Sequence, residues 1–188
     1  MRIVALGDSL TAGLGLPVEQ IFPAKLERAL KAKGIAAEVV NAGVSGDTAS
    51  GGLARLDWSV PEGTDAVILE LGANDMLRGI DPRRTRQALE EIVRRLTERR
   101  IPVLLAGMRA AANLGNDYVR DFATIYSDLA VRHDLLFYPF FLDGVAGEAG
   151  LNQGDGLHPS AAGVDAIVAR ILPKVEELVR RARDKRVM

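Results

Sequence analysis

Five short apolar runs, each closed by a turn, constrain this chain more than any other feature. They cover residues 3–6, 37–41, 66–71, 101–107 and 135–138, and the stretches between them carry helical spacing or helix punctuation. Apolar runs without polar alternation are what strands buried on both faces require. Strands that alternate with helices need crossover connections, which lay them parallel and cover the sheet on both sides. The pattern therefore predicts an α/β fold: a three-layer α/β/α sandwich on a five-stranded parallel sheet, in the order 2-1-3-4-5. In that order the first and third strands are neighbours at the switch point. Their following loops open onto one crevice at the carboxyl edge, where open α/β sheets bind ligands.

The helical stretches are read from spacing and punctuation. Residues 20–33 keep Leu26, Ala29 and Leu30 in register, and Gly34 supplies a stop. Residues 48–57 form a glycine-weakened helix. Asp81 caps the clearest one, Pro82 suits its first position, and Leu89, Ile92, Val93 and Leu96 line its apolar face. Another helix spans 117–133. A glycine-rich loop over 143–156 precedes the last helix, which starts near Pro159 and buries Ala162, Ile167, Ile171, Val175 and Leu178. With 188 residues and no repeat or linker, the expectation is one domain, 1–188.

Charge and composition narrow the partners. Lys and Arg total 24 against 25 Asp and Glu, so nothing draws the chain to nucleic acid, and the arginines near residue 90 alternate with Glu90, Glu91 and Glu98. A small neutral or amphipathic substrate fits better. Cysteine is absent, which excludes disulfides, a thiol nucleophile and thiolate metal sites. No apolar stretch approaches the ~20 residues of a membrane span, so no integral membrane association is expected. The chain enters residues 3–6 directly, too short for a signal-peptide core. As written it reads as cytoplasmic, or as periplasmic if a leader has been removed.

The chemistry gathers at strand ends. Ser9 follows the first apolar run in Gly7-Asp8-Ser9-Leu10, a nucleophile candidate by position, although Asp8 and Ser9 also suit the start of a helix. A serine needs a base, and there are two histidines. His133 lies in a charged helix end, where a solvated role is the simplest reading. His158 lies in Asp155-Gly156-Leu157-His158-Pro159, on a loop that belongs at the carboxyl edge. Asp155, three residues earlier, can reach the imidazole through an ordinary turn and hold the tautomer whose other nitrogen faces Ser9. Acyl transfer also needs donors for an oxyanion. The Ser9 amide, the Gly46 amide and the Asn74 side chain all fall on loops of the same rim.

These segments resemble the four signature blocks of the SGNH (GDSL) hydrolases: Gly7-Asp8-Ser9-Leu10, Gly46 within the 41–48 turn, Gly72-Ala73-Asn74-Asp75, and Asp155-Gly156-Leu157-His158-Pro159. Their order and spacing match over nearly the whole chain. The likeness is nearest to the bacterial arylesterase, acyl-CoA thioesterase and lysophospholipase group. It implies Ser9 as nucleophile, His158 as base, Asp155 as its orienter, and an oxyanion hole made by Ser9, Gly46 and Asn74. Asp8, Leu10, Ala111, Asn113 and Leu157 are the candidate substrate contacts. The function so implied is a serine esterase for aryl esters and short to medium acyl esters or thioesters, working through an acyl-enzyme without cofactor or metal. The site should be shallow, its acyl preference set by the loop over 108–118.

Rival readings fare worse on the residues. The non-enzymatic alternative is a flavodoxin-like or receiver-like binding module on the same topology. The receiver version needs an acidic cluster with a phospho-acceptor aspartate at the third strand's end and a lysine after the fifth strand, where Pro139, Phe140 and Phe141 stand instead. Gly13 and Gly15 are not followed by the Gly-Lys-Ser/Thr of a phosphate-binding loop. Two separated histidines are too few for a metal hydrolase. An O-acetylesterase acting on carbohydrate remains the alternative on the same fold.

Overall fold

Strand β1 (Arg2–Gly7) lies inside the sheet with β2 (Glu38–Gly43) on one side and β3 (Ala66–Glu70) on the other. In this computed structural model, which describes residues 1–187, β4 (Val103–Ala106) and β5 (Leu136–Tyr138) complete a parallel sheet in the order β2-β1-β3-β4-β5. This is the expected order, 2-1-3-4-5. Ile3, Val4, Ala5 and Leu6 have no exposed surface, as the unbroken apolar run requires of a strand covered on both faces.

The two covering layers differ. On one side α2 (Phe22–Ala32) packs against α9 (Ala161–Val187), and α9 also contacts β3, β4 and β5. The other layer is built around α6 (Pro82–Glu98), which touches α3 (Ala49–Ala54) and α8 (Ile125–Arg132). Asp81 caps α6 by accepting the Arg83 N–H at 2.9 Å, and Leu89, Ile92, Val93 and Leu96 are fully buried. Burial of each such side chain is worth about 1.5–3 kcal/mol. Phe22 meets Phe141 edge-on, their centroids 5.0 Å apart. This contact ties α2 to the segment after β5 that leads into the 143–156 loop.

Several elements depart from their expected outlines, with identifiable causes. Residues 48–57 are two helices, α3 and α4 (Leu56–Ser59), divided at Arg55, whose side chain is drawn inward to the sheet edge. Residues 117–133 are also two, α7 (Asn116–Ala123) and α8, separated at Thr124. There Arg86 donates to the Thr124 hydroxyl at 2.9 Å while that hydroxyl turns back to the Asp121 carbonyl, a local competition that bends helices. β4 begins two residues later than the apolar run, because Pro102 has no N–H to give the ladder. Two helices too short for periodicity stand where turns were expected: α1 (Ser9–Ala12) and α5 (Ala73–Leu77).

Candidate active site

Ser9 is the first residue of α1, directly beyond the end of β1. Asp8 caps the helix, its Oδ1 accepting the Leu10 N–H at 3.0 Å. Gly7 has no room for a side chain: a Cβ there would strike the Thr11 hydroxyl and lie 2.6 Å from Glu70 Oε2. The turn is therefore held from below by Glu70, the last residue of β3.

Arg55 holds it from the side. This buried guanidinium donates to the Gly7 carbonyl at 2.9 Å, the Ala42 carbonyl at 2.8 Å and the Ser59 hydroxyl at 2.9 Å, and pairs with Asp47 at 2.6 Å. It thus joins the carboxyl ends of β1 and β2.

His158 reaches Ser9 from the opposite side of the crevice. Its Nε2 lies 2.9 Å from Ser9 Oγ, and its Nδ1 lies 2.6 Å from Asp155 Oδ2. An ionised carboxylate only accepts, so Nδ1 carries the hydrogen and Nε2 is left to accept the serine proton; this tautomer follows from the hydrogen-bond network. Asp155 Oδ1 also accepts the N–H groups of Leu157 at 2.9 Å and His158 at 3.0 Å. Those backbone donors, the His158 backbone first and then its side chain, hold the Asp155 carboxyl well below the ordinary carboxylate range. The loop is closed by an antiparallel bridge between Asn152 and Pro159, by the Gln153 N–H on the His158 carbonyl at 2.7 Å, and by the Gln153 side chain on the Leu14 carbonyl at 2.8 Å.

Asn74 lies one residue into α5, after Gly72, whose φ of 118° only glycine tolerates easily. Its side-chain nitrogen donates to Asp47 O at 2.9 Å and Asp8 Oδ2 at 3.1 Å, so both amide hydrogens are engaged. Among the described residues no acceptor meets the N–H of Ser9 or of Gly46. The Gly46 carbonyl is held by Arg78 at 2.7 Å.

Ser9 and His158 open into a cavity of about 220 Å³. Leu10, Met76, Leu77, Met108, Phe140 and Leu142 make most of its apolar wall. Ala111 and Leu157, both expected as substrate contacts, line it as well, together with Ala73, Asn74, Arg109 and Ala146.

Two of the expected substrate contacts are placed elsewhere. Asp8 is fully buried beneath the serine turn, its carboxylate occupied by Leu10 and Asn74, so it presents no surface to a substrate. Asn113 sits in an exposed 3-10 turn outside the cavity lining, because the 108–118 loop turns only its first residues inward. Gly46 also lies outside the lining.

Met76, Leu77, Arg109, Leu142 and Ala146 were not anticipated. The exposure of Leu77 and Leu157, each about half, follows from their position at the cavity mouth. The cation of Arg109 stacks 4.7 Å from the Phe140 ring centroid. His133 lies far from this site at the end of α8. Its ring is mostly covered rather than solvated, with Nε2 3.9 Å from Glu90. Among the described residues no group of three or more His, Cys, Asp or Glu converges as metal ligands would.

A serine, a histidine and an aspartate chained by hydrogen bonds at the carboxyl edge of a parallel sheet form the constellation of serine hydrolases. The chain belongs to the GDSL-like lipase/acylhydrolase family, whose sequence profile matches residues 5–166. It is 37% identical to esterase TesA of Pseudomonas aeruginosa, over 94% of this chain and 89% of that protein. It is 38% identical to the thioesterase 1/protease 1/lysophospholipase L1 of Escherichia coli K12, over 84% of this chain and 75% of that one. Among solved structures, AlinE4, an SGNH-hydrolase family esterase, superposes with a TM-score of 0.80 at 46% identity, covering 94% of this chain and 95% of that one.

Proposed function

We propose that this protein is a serine esterase that hydrolyses carboxylic esters, among them aryl esters and short to medium acyl esters or thioesters, through an acyl-enzyme. The observation that carries the reading is the line Asp155 Oδ2, His158 Nδ1, His158 Nε2, Ser9 Oγ, with contacts of 2.6 and 2.9 Å, opening into an apolar cavity. His158 takes the Ser9 proton as Oγ attacks the acyl carbonyl, and Asp155 steadies the imidazolium that forms. The oxyanion is met by the free N–H groups of Ser9 and Gly46 and by an Asn74 hydrogen exchanged from its present acceptor. Collapse expels the alcohol or thiol, which takes its proton from His158. Water then repeats the sequence on the acyl-enzyme and releases the acid.

The apolar lining favours an acyl chain over a sugar and speaks against the carbohydrate O-acetylesterase alternative. Relatives named esterase and thioesterase support the same substrate class. The test is a side-by-side panel of aryl esters of graded chain length, an acyl-CoA, a lysophospholipid and an acetylated sugar, with Ser9→Ala in parallel. Cleavage of the acetylated sugar alone, or full activity in Ser9→Ala, would refute the proposal.

A further inference from the structure

Below the serine turn lies a second acid that the proposed chemistry does not use. Glu70 is fully buried at the end of β3, at the register position opposite Gly7. Its Oε2 accepts the Thr11 hydroxyl at 2.8 Å and the Asp8 N–H at 3.4 Å, while Oε1 has no hydrogen-bond partner among the described residues. Asp8 is equally buried, and its backbone N–H, 3.4 Å from Glu70 Oε2, brings the two acids side by side. Two adjacent carboxylates shut off from water cannot both ionise without large repulsion, so the pair retains a proton.

The donors decide which partner keeps the charge. Asp8 accepts from the Leu10 N–H and from the Asn74 amide and faces His158; Glu70 has one hydroxyl, one long N–H contact and an orphaned oxygen. Among the described residues no cation touches Glu70: the guanidinium of Arg55 stops at the Gly7 carbonyl, and the other ionisable groups facing the pair are Asp75 on α5 and the buried Tyr126 phenol on α8. Burial, and then the Asp8 charge, pushes the Glu70 carboxyl well above its ordinary range, while burial raises Asp8 only to about 6.

We propose that Glu70 is a positioning residue for ester hydrolysis: a neutral carboxylic acid locked under Asp8, which leaves Asp8 as the single anion and so fixes the Asn74 amide beside Ser9. The proposal rests on the esterase reading. Asn74 sits between the Asp8 carboxylate at 3.1 Å and the Asp47 carbonyl at 2.9 Å. Its aim therefore depends on where Asp8 stands and on Asp8 being charged. Glu70 sets the first through the Asp8 N–H and the Gly7 contact, and the second by holding the proton. Gly7 of the Gly-Asp-Ser-Leu block gains a specific reason as well, because the Glu70 carboxyl fills the space a side chain would need.

The decisive measurement is infrared spectroscopy of the full chain between pH 8 and 9, where Asp8 is ionised. The parent protein should show the carbonyl stretch of a protonated, solvent-shielded carboxylic acid, and Glu70→Gln should lack it. Kinetics on an aryl ester at pH 8 give the second readout. Glu70→Gln, neutral and of the same shape, should keep kcat within about threefold, whereas Glu70→Ala should lose about 10²-fold in kcat with KM little changed, the scale of a misplaced catalytic group. An active parent protein without the infrared band overturns this inference alone. Equal losses in both variants, or a loss carried by KM, would make Glu70 a packing residue. A parent protein with no ester hydrolysis would overturn both this inference and the functional reading beneath it.

Discussion

Ser9 is 8% exposed and stands on a turn braced by Glu70, Arg55, Asp8 and Asn74, side chains drawn from three separate parts of the chain. His158 and Asp155 stand on an exposed loop whose ties are mostly within itself: the Asn152 to Pro159 bridge, the Gln153 contacts and the Asp155 turn. Nucleophile and base are thus held by opposite means, one by a buried polar frame and one by short-range backbone geometry. A buried frame fixes atoms well but must satisfy every polar group it encloses. A surface loop avoids that cost and relies on a few local bonds. Lesions in the two regions should therefore differ in kind.

The largest effect belongs to the atom both regions serve. Ser9→Ala should abolish organophosphonate labelling and lower ester turnover by about 10⁶, the scale for loss of a serine nucleophile; labelling that survives on another serine would break the comparison at its root. On the loop side, Asp155→Asn should cost about 10⁴ in kcat by favouring the wrong imidazole tautomer, with almost no change in melting temperature. An equal fall in thermal stability would mean the loop is part of the frame after all.

On the buried side, Asn74→Ala should lower kcat by about 10² to 10³ with a smaller change in KM. Unlike the loop variant it should also destabilise the fold, because the Asp8 carboxylate and the Asp47 carbonyl lose a donor. The pH dependence sharpens the contrast further. Burial raises the Asp8 carboxyl from 3.8 to about 6, so the folded state binds that proton more tightly than the unfolded chain. Stability from this group is present below pH 4 and is lost as the pH rises to about 6, on the order of 3 kcal/mol. Thermal melts of Asp8→Asn should show a flatter dependence between pH 4 and 7 than the parent, with Glu70's own contribution remaining.

The smallest effect concerns the cavity between the two regions. Ala111 and Ala146 both line it, so a phenylalanine at either should shift the preferred acyl length downward, at about 0.8 kcal/mol per methylene excluded. Ala112 is exposed outside the lining, and enlarging it should leave the chain-length profile unchanged.

The loop side was legible in the sequence, and the buried side only in part. Asp155 and His158 are three residues apart, and an aspartate at that spacing makes a turn whose geometry can be written down from residue types. The sheet was equally open to reading, because apolar runs such as 3–6 and 66–71 record burial on both faces. The frame under Ser9 was not. Arg55 sits in what reads as a glycine-weakened helix, and Glu70 at the end of an apolar strand; only the register of β1 with β3 shows that the latter faces Gly7. Asn74 was visible as a loop residue near the serine, but its engagement by Asp8 and Asp47 depends on contacts 66 and 27 residues distant. The helix breaks at Arg55 and Thr124 had the same origin, since both follow from side-chain bonds to other elements.

The separation of 149 positions between Ser9 and His158 has a consequence for the order in which a growing chain acquires activity. β1 and its serine turn are made first, but β3 must be synthesised before Glu70 can fill the space beside Gly7, and the histidine loop arrives only after β5. α9, which covers β3, β4 and β5 and packs on α2, follows that loop. A contact spanning so much chain closes late and slowly. On the ribosome the serine is therefore without its base until the histidine loop has been made, and phosphonate labelling at Ser9 begins only once that loop has closed on the serine turn.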